Sequence, residues 1–227
     1  MARSAHWADA AALGDMTDAT TGCNAVQRFD DPCAVRPSSA LLMTVELIYE
    51  THSTSEDNEA EIATGWLPGR LSEHGRRQAF QLGARRRDTG IAAVFVSDLR
   101  RAVQTVELAF GGIGLPVYQD RRLRECNYGE LNGCSVEVLA AVRRRHIDEP
   151  FPGGQSYRQV VAATRDFLLD VGGAWDGRRV LVVAHSANRW AFECLLNGAR
   201  LEDLVDAPFR WQAGWSYILD TSKLPEL

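Results

Sequence analysis

The sequence predicts an α/β protein whose central sheet is doubly wound and mainly parallel, with helices on both faces. Two observations predict this fold class. From residue 43 onward, apolar strand-like runs alternate with segments of helical periodicity, which is typical of parallel strands joined by crossover helices. One run, RRVLVVAH at 178–185, is apolar almost throughout, as expected for a strand that is covered on both faces.

The individual elements follow from local composition. Runs rich in β-branched and aromatic residues predict strands, and apolar residues spaced three or four apart predict helices. The predicted strands lie at 45–50, 91–97, 116–120 and 178–185. The predicted helices lie at 71–87, 98–110, 135–146, 157 to about 169, and 186–197. The final aromatic stretch, 209–219, is interpreted as an edge strand or a hairpin.

Several predicted helix ends carry capping signals. Ser72 and Ser97 stand where a side-chain oxygen can accept from the first turn of a helix. Ser156 and Gln159 have the spacing of a capping box. Gly198 is placed to end the last helix. The apolar positions of the first helix are Leu71, Ala79, Phe80 and Leu82.

Composition excludes several classes of protein. The chain has 227 residues, of which 45% are hydrophobic and 24% charged, as in ordinary globular proteins. Its net charge of −5 argues against nucleic-acid and membrane-surface binding. The five cysteines contain no CxxC pair, which argues against a disulfide framework or a zinc site and is compatible with a reducing cytoplasm.

The chain divides into two parts. Residues 1–42 are rich in Ala, Asp, Thr and Ser and show no sustained apolar period, which predicts a disordered extension. They also lack the basic start and apolar stretch of a secretory signal. The folded domain is expected to comprise residues 43–227.

Two of the predicted strands run into a histidine, His52 and His185. A third ends at Ser97, and the helix after it begins with Arg100 and Arg101. The carboxyl ends of parallel strands meet at one edge of the sheet, where such proteins bind their ligands. We therefore expect two histidines and an arginine to converge on one pocket.

Six segments around these residues occur in a recognisable order. They are THSTSEDN from 51, GWLPGRLSEHGRRQA from 65, SDLRRAVQT from 97, LRECNYGELNG from 123, FPGGQS from 151 and VLVVAHS from 180. In this order they resemble the motifs of the histidine phosphatases, the superfamily that includes cofactor-dependent phosphoglycerate mutase. Two departures stand out: Thr51-His52-Ser53 replaces the family's Arg-His-Gly, and Gln155 replaces a glutamate.

The resemblance implies a role for each matching residue. His52 would attack phosphorus and become a phosphohistidine, and Glu125 would protonate the leaving oxygen and then activate water. Arg101 and His185 would stabilise the phosphoryl charge. No metal ion or other cofactor is implied, and the expected partner is a small phosphorylated metabolite. The further residues expected to bind phosphate are Thr51, Ser53, Asn58, Gly65 and Ser186.

Thr51 puts one phosphate contact in question. A threonine hydroxyl does not reproduce the bidentate, charge-assisted bonds of an arginine. Losing such a contact costs about 2–4 kcal/mol of transition-state stabilisation, by analogy with removing one preorganised oxyanion donor. The arginines considered as substitutes are Arg76, Arg77, Arg100 and Arg189.

Three functions remain open at this point. A metal-independent phosphomonoesterase is the leading hypothesis; a phosphomutase and a phosphate-binding protein with weak or no catalysis are the alternatives. Only 60 positions separate Glu125 from His185, whereas the mutases resembled here carry a long insertion there, which favours hydrolysis. Binding alone would not need Glu125. Glu50 is either solvated or paired with an arginine of the pocket, and the oligomeric state stays open.

We expect residues 1–42 to be dispensable, because their composition does not supply a core. A chain that starts at Met43 should melt within a few degrees of the full chain and keep its activity. Thermal unfolding of the two chains side by side checks this. A larger drop in melting temperature would show that the extension packs on the domain.

Overall fold

The computed structural model of the protein describes residues 44–208 and 211–226; the predicted extension 1–42 and residues 209–210 of the aromatic stretch lie outside this range. The strands are β1 (Val45–Thr51), β2 (Ile62–Ala63), β3 (Ala93–Val96), β4 (Val117–Gln119), β5 (Cys134–Ser135), β6 (Arg179–Ala184) and β7 (Trp215–Leu219). The α-helices are α1 (Glu56–Glu59), α2 (Glu73–Arg86), α3 (Arg100–Phe110), α4 (Val136–Val142), α5 (Tyr157–Ala174), α6 (Ser186–Asn197) and α7 (Leu201–Leu204). None of these helices is both long and apolar enough to cross a membrane.

The central sheet has five strands in the order β4-β3-β6-β1-β7. Its first four strands are parallel, and β7 pairs antiparallel with β1 at the edge. This arrangement confirms the predicted α/β class with a mainly parallel sheet. In the register of β1 and β6, Thr51 stands opposite Ala184, so the next residues, His52 and His185, leave the sheet side by side.

The sheet buries a core on each face because side chains alternate along its strands. On one face, Val94 and Val96 of β3 pack with Val106 of α3. On the other, the ring of Phe95 meets that of Phe167 of α5 edge to face, with centroids 5.5 Å apart. Coverage on both faces explains why the sequence of β6 is apolar almost throughout.

The structure confirms every strand and helix predicted from the sequence, with shifted ends. The capping box of Ser156 and Gln159 is formed, and Gly198 ends α6 in the left-handed region at φ 69°. Helix α5 runs to Ala174, five residues beyond the predicted end. The predicted helix 135–146 is shorter, because α4 stops at Val142 and residues 143–147 form a 3₁₀ turn.

Phe80, one of the apolar positions of α2, is 57% exposed, because the buried face of this helix consists of small residues and Leu82. One predicted helix cap is wrong. Ser97 was expected to cap α3, but the N-cap residue is Leu99 and no side chain caps it. The hydroxyl of Ser97 instead accepts from the Leu99 amide and contacts the ring of His185.

Glu50 is buried and ion-paired with two arginines of α2, neither of which lines the pocket. Its carboxylate accepts from Arg86 at 2.9 and 3.0 Å and from Arg85 at 3.2 and 3.3 Å. Arg86 also donates to the carbonyl of Ala213, just before β7. Glu50 therefore ties the carboxyl end of β1 to the last turn of α2 and to the loop that enters β7.

We expect Glu50→Gln to destabilise the fold strongly, because it leaves two largely buried guanidinium groups without a counter-charge. The expected loss is about 3 kcal/mol in the free energy of unfolding, at the lower end for a broken buried pair because Arg85 keeps partial exposure. Urea unfolding checks this. The matched control is Glu46→Gln on the same strand, whose ion pair with Arg179 is 38% exposed on both sides and should cost no more than about 1 kcal/mol. Equal losses in the two variants would contradict this interpretation.

Candidate active site

A cavity of about 690 Å³ opens at the carboxyl ends of β1 and β6, the edge of the sheet at which the sequence predicted a pocket. Among the predicted site residues, it is lined by Thr51, His52, Asn58, Gly65, Arg101, Glu125 and Ser186. Ser53 and His185 are buried beside the cavity and do not line it.

His52 presents one ring nitrogen to the cavity side and uses the other to anchor itself. Its Nδ1 lies 2.7 Å from the carbonyl oxygen of Ser53 and so carries the proton, because a carbonyl only accepts. The lone pair of Nε2 then accepts from Nε of Arg101 at 3.2 Å. Burial, and next the Arg101 charge, lower the pKa of His52 to about 3. The ring is therefore a neutral imidazole at physiological pH.

The guanidinium of Arg101 connects the groups of the site. It lies in the first turn of α3 and is 2% exposed. Besides His52, it donates to the carbonyl of Gly65 at 2.9 Å and contacts Nδ1 of His185 at 3.3 Å. Its Nη1 is buried without a hydrogen-bond partner among the described residues. A buried cation with one free donor in the wall of a cavity is suited to an anion.

His185 holds the guanidinium of Arg101 in position. Its ring is fully buried, and its centroid lies 5.0 Å from that of His52. Since an arginine only donates, Nδ1 of His185 accepts from Arg101, and Nε2 carries the proton toward the Ser97 hydroxyl at 2.9 Å. Burial lowers the pKa of His185 well below its usual value. Both ring nitrogens are thus engaged, whereas the sequence predicted a donor that faces phosphate directly.

Glu125 places a carboxyl group in the cavity wall. It is 8% exposed, and its Oε1 accepts from the amide of Cys126 at 2.8 Å. The indole of Trp66 donates to its main-chain carbonyl at 2.6 Å, which fixes the loop. Burial raises the pKa of Glu125 above its usual value, although Arg101 and the Cys126 amide oppose this. A carboxyl whose protonated form is favoured by burial is suited to donate a proton.

The chain after His52 is held against α2 and α3. The amide of Ser53 donates to Thr105 Oγ1 at 3.0 Å, and the amide of Thr54 donates to Gln78 Oε1 at 2.9 Å. A Cβ at Gly75 would come within 1.8 Å of the Thr54 carbonyl, so only glycine permits this approach. Asn58, which is predicted to bind phosphate, lines the cavity. Its side chain also caps α1, since it accepts from the Ser55 amide.

Gly65 is required for the position of Arg101. Its φ of 54° lies in the left-handed region, and a Cβ there would meet Asn132 Oδ1 at 1.8 Å. The same Asn132 oxygen accepts from the amides of Trp66 and Tyr128. Asn132 was not singled out from the sequence, although it lies in the segment that carries Glu125. Its side chain holds the turn that offers the Gly65 carbonyl to Arg101.

Apart from Arg189, the outer wall of the cavity was not predicted from the sequence. It is formed largely by apolar and aromatic side chains from α4, α6 and the segment after α7, together with the charged groups of Arg143, Arg189 and Asp206. Of the arginines considered as substitutes for the family's arginine, Arg189 lines the cavity. The others, Arg76, Arg77 and Arg100, are exposed and do not line it.

The chain is similar to known proteins in sequence and in fold. The sequence model of the histidine phosphatase superfamily (branch 1) matches residues 51–222. A 2,3-bisphosphoglycerate-dependent phosphoglycerate mutase of Methylobacterium sp. (strain 4-46) is 32% identical over 70% of this chain and 83% of its own length.

Solved structures share the fold. A mycobacterial glucosyl-3-phosphoglycerate phosphatase in complex with VO3 aligns with a TM-score of 0.63 and 25% identity, over 72% of this chain and 86% of its own. YhfR of Bacillus stearothermophilus aligns with a TM-score of 0.66 and 25% identity, over 74% of this chain and 88% of its own. Proteins similar to this chain thus carry the names of both mutases and phosphatases.

Proposed function

Because the chain belongs to the histidine phosphatase superfamily, we propose that it is a phosphomonoesterase that hydrolyses small phosphate monoesters through a phosphohistidine and without a metal ion. One observation carries the proposal. A neutral imidazole, a buried guanidinium and a buried carboxyl group, those of His52, Arg101 and Glu125, line the same cavity. These are the nucleophile, the charge-stabilising donor and the proton donor that phosphoryl transfer requires.

In the first step, Nε2 of His52 attacks phosphorus and the bond to the ester oxygen breaks. The proton stays on Nδ1, which keeps donating to the Ser53 carbonyl, so the ring keeps its orientation. Arg101 donates to Nε2 before substrate binds and must turn its N–H to a phosphoryl oxygen, which frees the lone pair for attack. Glu125 protonates the leaving oxygen and becomes a carboxylate.

In the second step, water attacks the phosphorus of the phosphohistidine. Glu125, now the base, removes a proton from this water while the P–N bond breaks and His52 is regenerated. Inorganic phosphate leaves with one oxygen from water. His185 keeps Arg101 in place in both steps, since it accepts from the guanidinium and is itself held by Ser97.

The shape of the cavity bears on the substrate. Its volume of about 690 Å³ lies within the usual range for small-molecule sites and exceeds what a phosphoryl group alone occupies. The wall beyond Glu125 includes Tyr157, Trp190 and Trp211. These aromatic faces support a phosphate ester whose organic part is large enough to pack against them.

A phosphomutase is the second candidate, because curated relatives at about 30% identity are named 2,3-bisphosphoglycerate-dependent phosphoglycerate mutase. The two functions differ in the acceptor of the phosphoryl group. A hydrolase transfers it from His52 to water, whereas a mutase transfers it to a second hydroxyl. Assays of 2- and 3-phosphoglycerate interconversion with 2,3-bisphosphoglycerate, run beside phosphate release, separate them.

We expect release of inorganic phosphate from at least one ester in a panel of phosphate monoesters, at the same rate with and without EDTA. His52→Ala removes the nucleophile and should abolish this release. His74→Ala is the matched control, since His74 is exposed on α2 and should leave the rate unchanged. Absence of turnover on every ester would favour a binding protein, and activity that EDTA abolishes would contradict the proposed mechanism.

The pH dependence of kcat/KM should reflect two groups of the free enzyme. His52 must be unprotonated, which holds above about pH 3, and Glu125 must be protonated, so activity is lost as pH rises through its raised pKa. Glu125→Gln should lower activity and remove this alkaline limb, whereas Glu130→Gln, at an exposed position of the same loop, should retain it.

The substrate's own phosphate, with a second pKa of about 6, contributes a limb common to all variants. The comparison between the two glutamate variants therefore isolates the contribution of Glu125. An unchanged alkaline limb in Glu125→Gln would show that another group supplies the proton.

A further inference from the structure

We propose that Arg189 binds the anionic substrate group at the place where the family has the arginine that Thr51 replaces. This proposal rests on the proposed function, because it makes Arg189 the second arginine of the phosphate site. Both residues line the same cavity, although they come from different elements, the end of β1 and the first turn of α6.

Arg189 lies on the face of the sheet to which Thr51 points. Side chains two apart on a strand share a face, so Thr51 points to the same face as Tyr49. Tyr49 packs against Trp215, its neighbour on β7, with ring centroids 6.2 Å apart. The guanidinium carbon of Arg189 lies over that Trp215 ring, 5.1 Å from its centroid. Arg189 thus covers the face of the sheet on which Thr51 is the last residue of β1.

The guanidinium of Arg189 is largely buried and has unused donors. Its side chain is 16% exposed, its Nε is buried without a partner, and it donates no hydrogen bond to a described residue. The nearest carboxylate oxygen, on Glu193, is 3.8 Å away, beyond hydrogen-bond distance. That oxygen already accepts from the hydroxyl of Tyr217 at 2.7 Å. A buried cation with free donors in a cavity wall is suited to an anionic ligand.

Other arginines fit this role less well. Arg143 also lines the cavity and also has a buried Nε without a partner among the described residues, but its Nη1 already donates to the carbonyl of Val205 at 2.9 Å, and it comes from the turn after α4, on the outer wall. Arg101 already serves His52 and Gly65. Arg189 therefore combines a place in the same cavity, on the face of the sheet to which Thr51 points, with free hydrogen-bonding capacity.

The assignment predicts that the two positions exclude each other as sites for arginine. With Arg189 in place, Thr51→Arg adds a second guanidinium to the same part of the cavity, where two like charges repel. Without Arg189, the same substitution restores the family's arrangement. Arg189→Ala should thus be harmful in the native chain and beneficial in the Thr51→Arg chain.

Calorimetric titration with inorganic phosphate tests this independently of turnover. Arg189→Ala should weaken phosphate binding about 10- to 100-fold, the range for a lost charge-assisted contact, and Arg189→Lys should lose less. Thr51→Arg should also bind more weakly than the native chain, and the double variant should bind more tightly than either single variant. Arg100→Ala, an exposed arginine beside Arg101, is the matched control and should bind as the native chain does.

A purely structural role is tested by Glu193→Gln, with melting temperatures measured for every variant. If Arg189 acted only through its ion pair, Glu193→Gln would weaken phosphate binding as much as Arg189→Ala; we expect it to bind at least as tightly as the native chain. The proposal is overturned if Arg189→Ala binds phosphate like Arg100→Ala, or if Thr51→Arg binds more tightly while Arg189 is present. Phosphate binding that depends on Arg189 in a chain without esterase activity would support this site and contradict the proposed hydrolase.

Discussion

A single buried guanidinium, that of Arg101, holds the site together. It meets both histidines and the Gly65 carbonyl, and so joins the ends of β1 and β6 to the loop that precedes α2. Parallel pairing of β1 and β6 sets the two histidines side by side, but pairing alone does not orient their rings. The guanidinium of Arg101 does orient the two rings, because its donors are held by these neutral acceptors. Burial, and next the charge of Arg101, lowers the pKa of both His52 and His185, which keeps the two rings unprotonated.

Repulsion between buried cations limits where two arginines can lie in the cavity. A site that accepts a phosphate dianion gains from a second cation, but two guanidinium groups in contact would repel each other before the anion binds. Thr51 leaves the end of β1 uncharged, and Arg189 approaches from α6, where the Trp215 ring faces its cation. The two guanidinium groups thereby reach the cavity from α3 and α6, which pack on opposite faces of the sheet.

The sequence predicted those features of the fold and site that short stretches of residues determine. Strand composition, helix caps and the residues at strand ends predicted the sheet, the helices, His52 and Arg101, and the resemblance to the histidine phosphatases implied Glu125; these three residues line the cavity. Contacts between distant segments left no local signal. Ser97 has the position of a helix cap but serves His185, which is 88 residues away, and Glu50 meets arginines 35 and 36 residues along the chain. The outer wall, assembled from several elements, was missed for the same reason.

In the proposed mechanism, the neutral imidazole of His52 accepts the phosphoryl group. Acid-free quenching of the enzyme during turnover, followed by mass spectrometry of its peptides, locates that group most directly. We expect a base-stable, acid-labile phosphoryl group on His52 and none on His185, whose two ring nitrogens are engaged by Arg101 and Ser97. A phosphoryl group on His185, or steady turnover without any phosphorylated histidine, would contradict it.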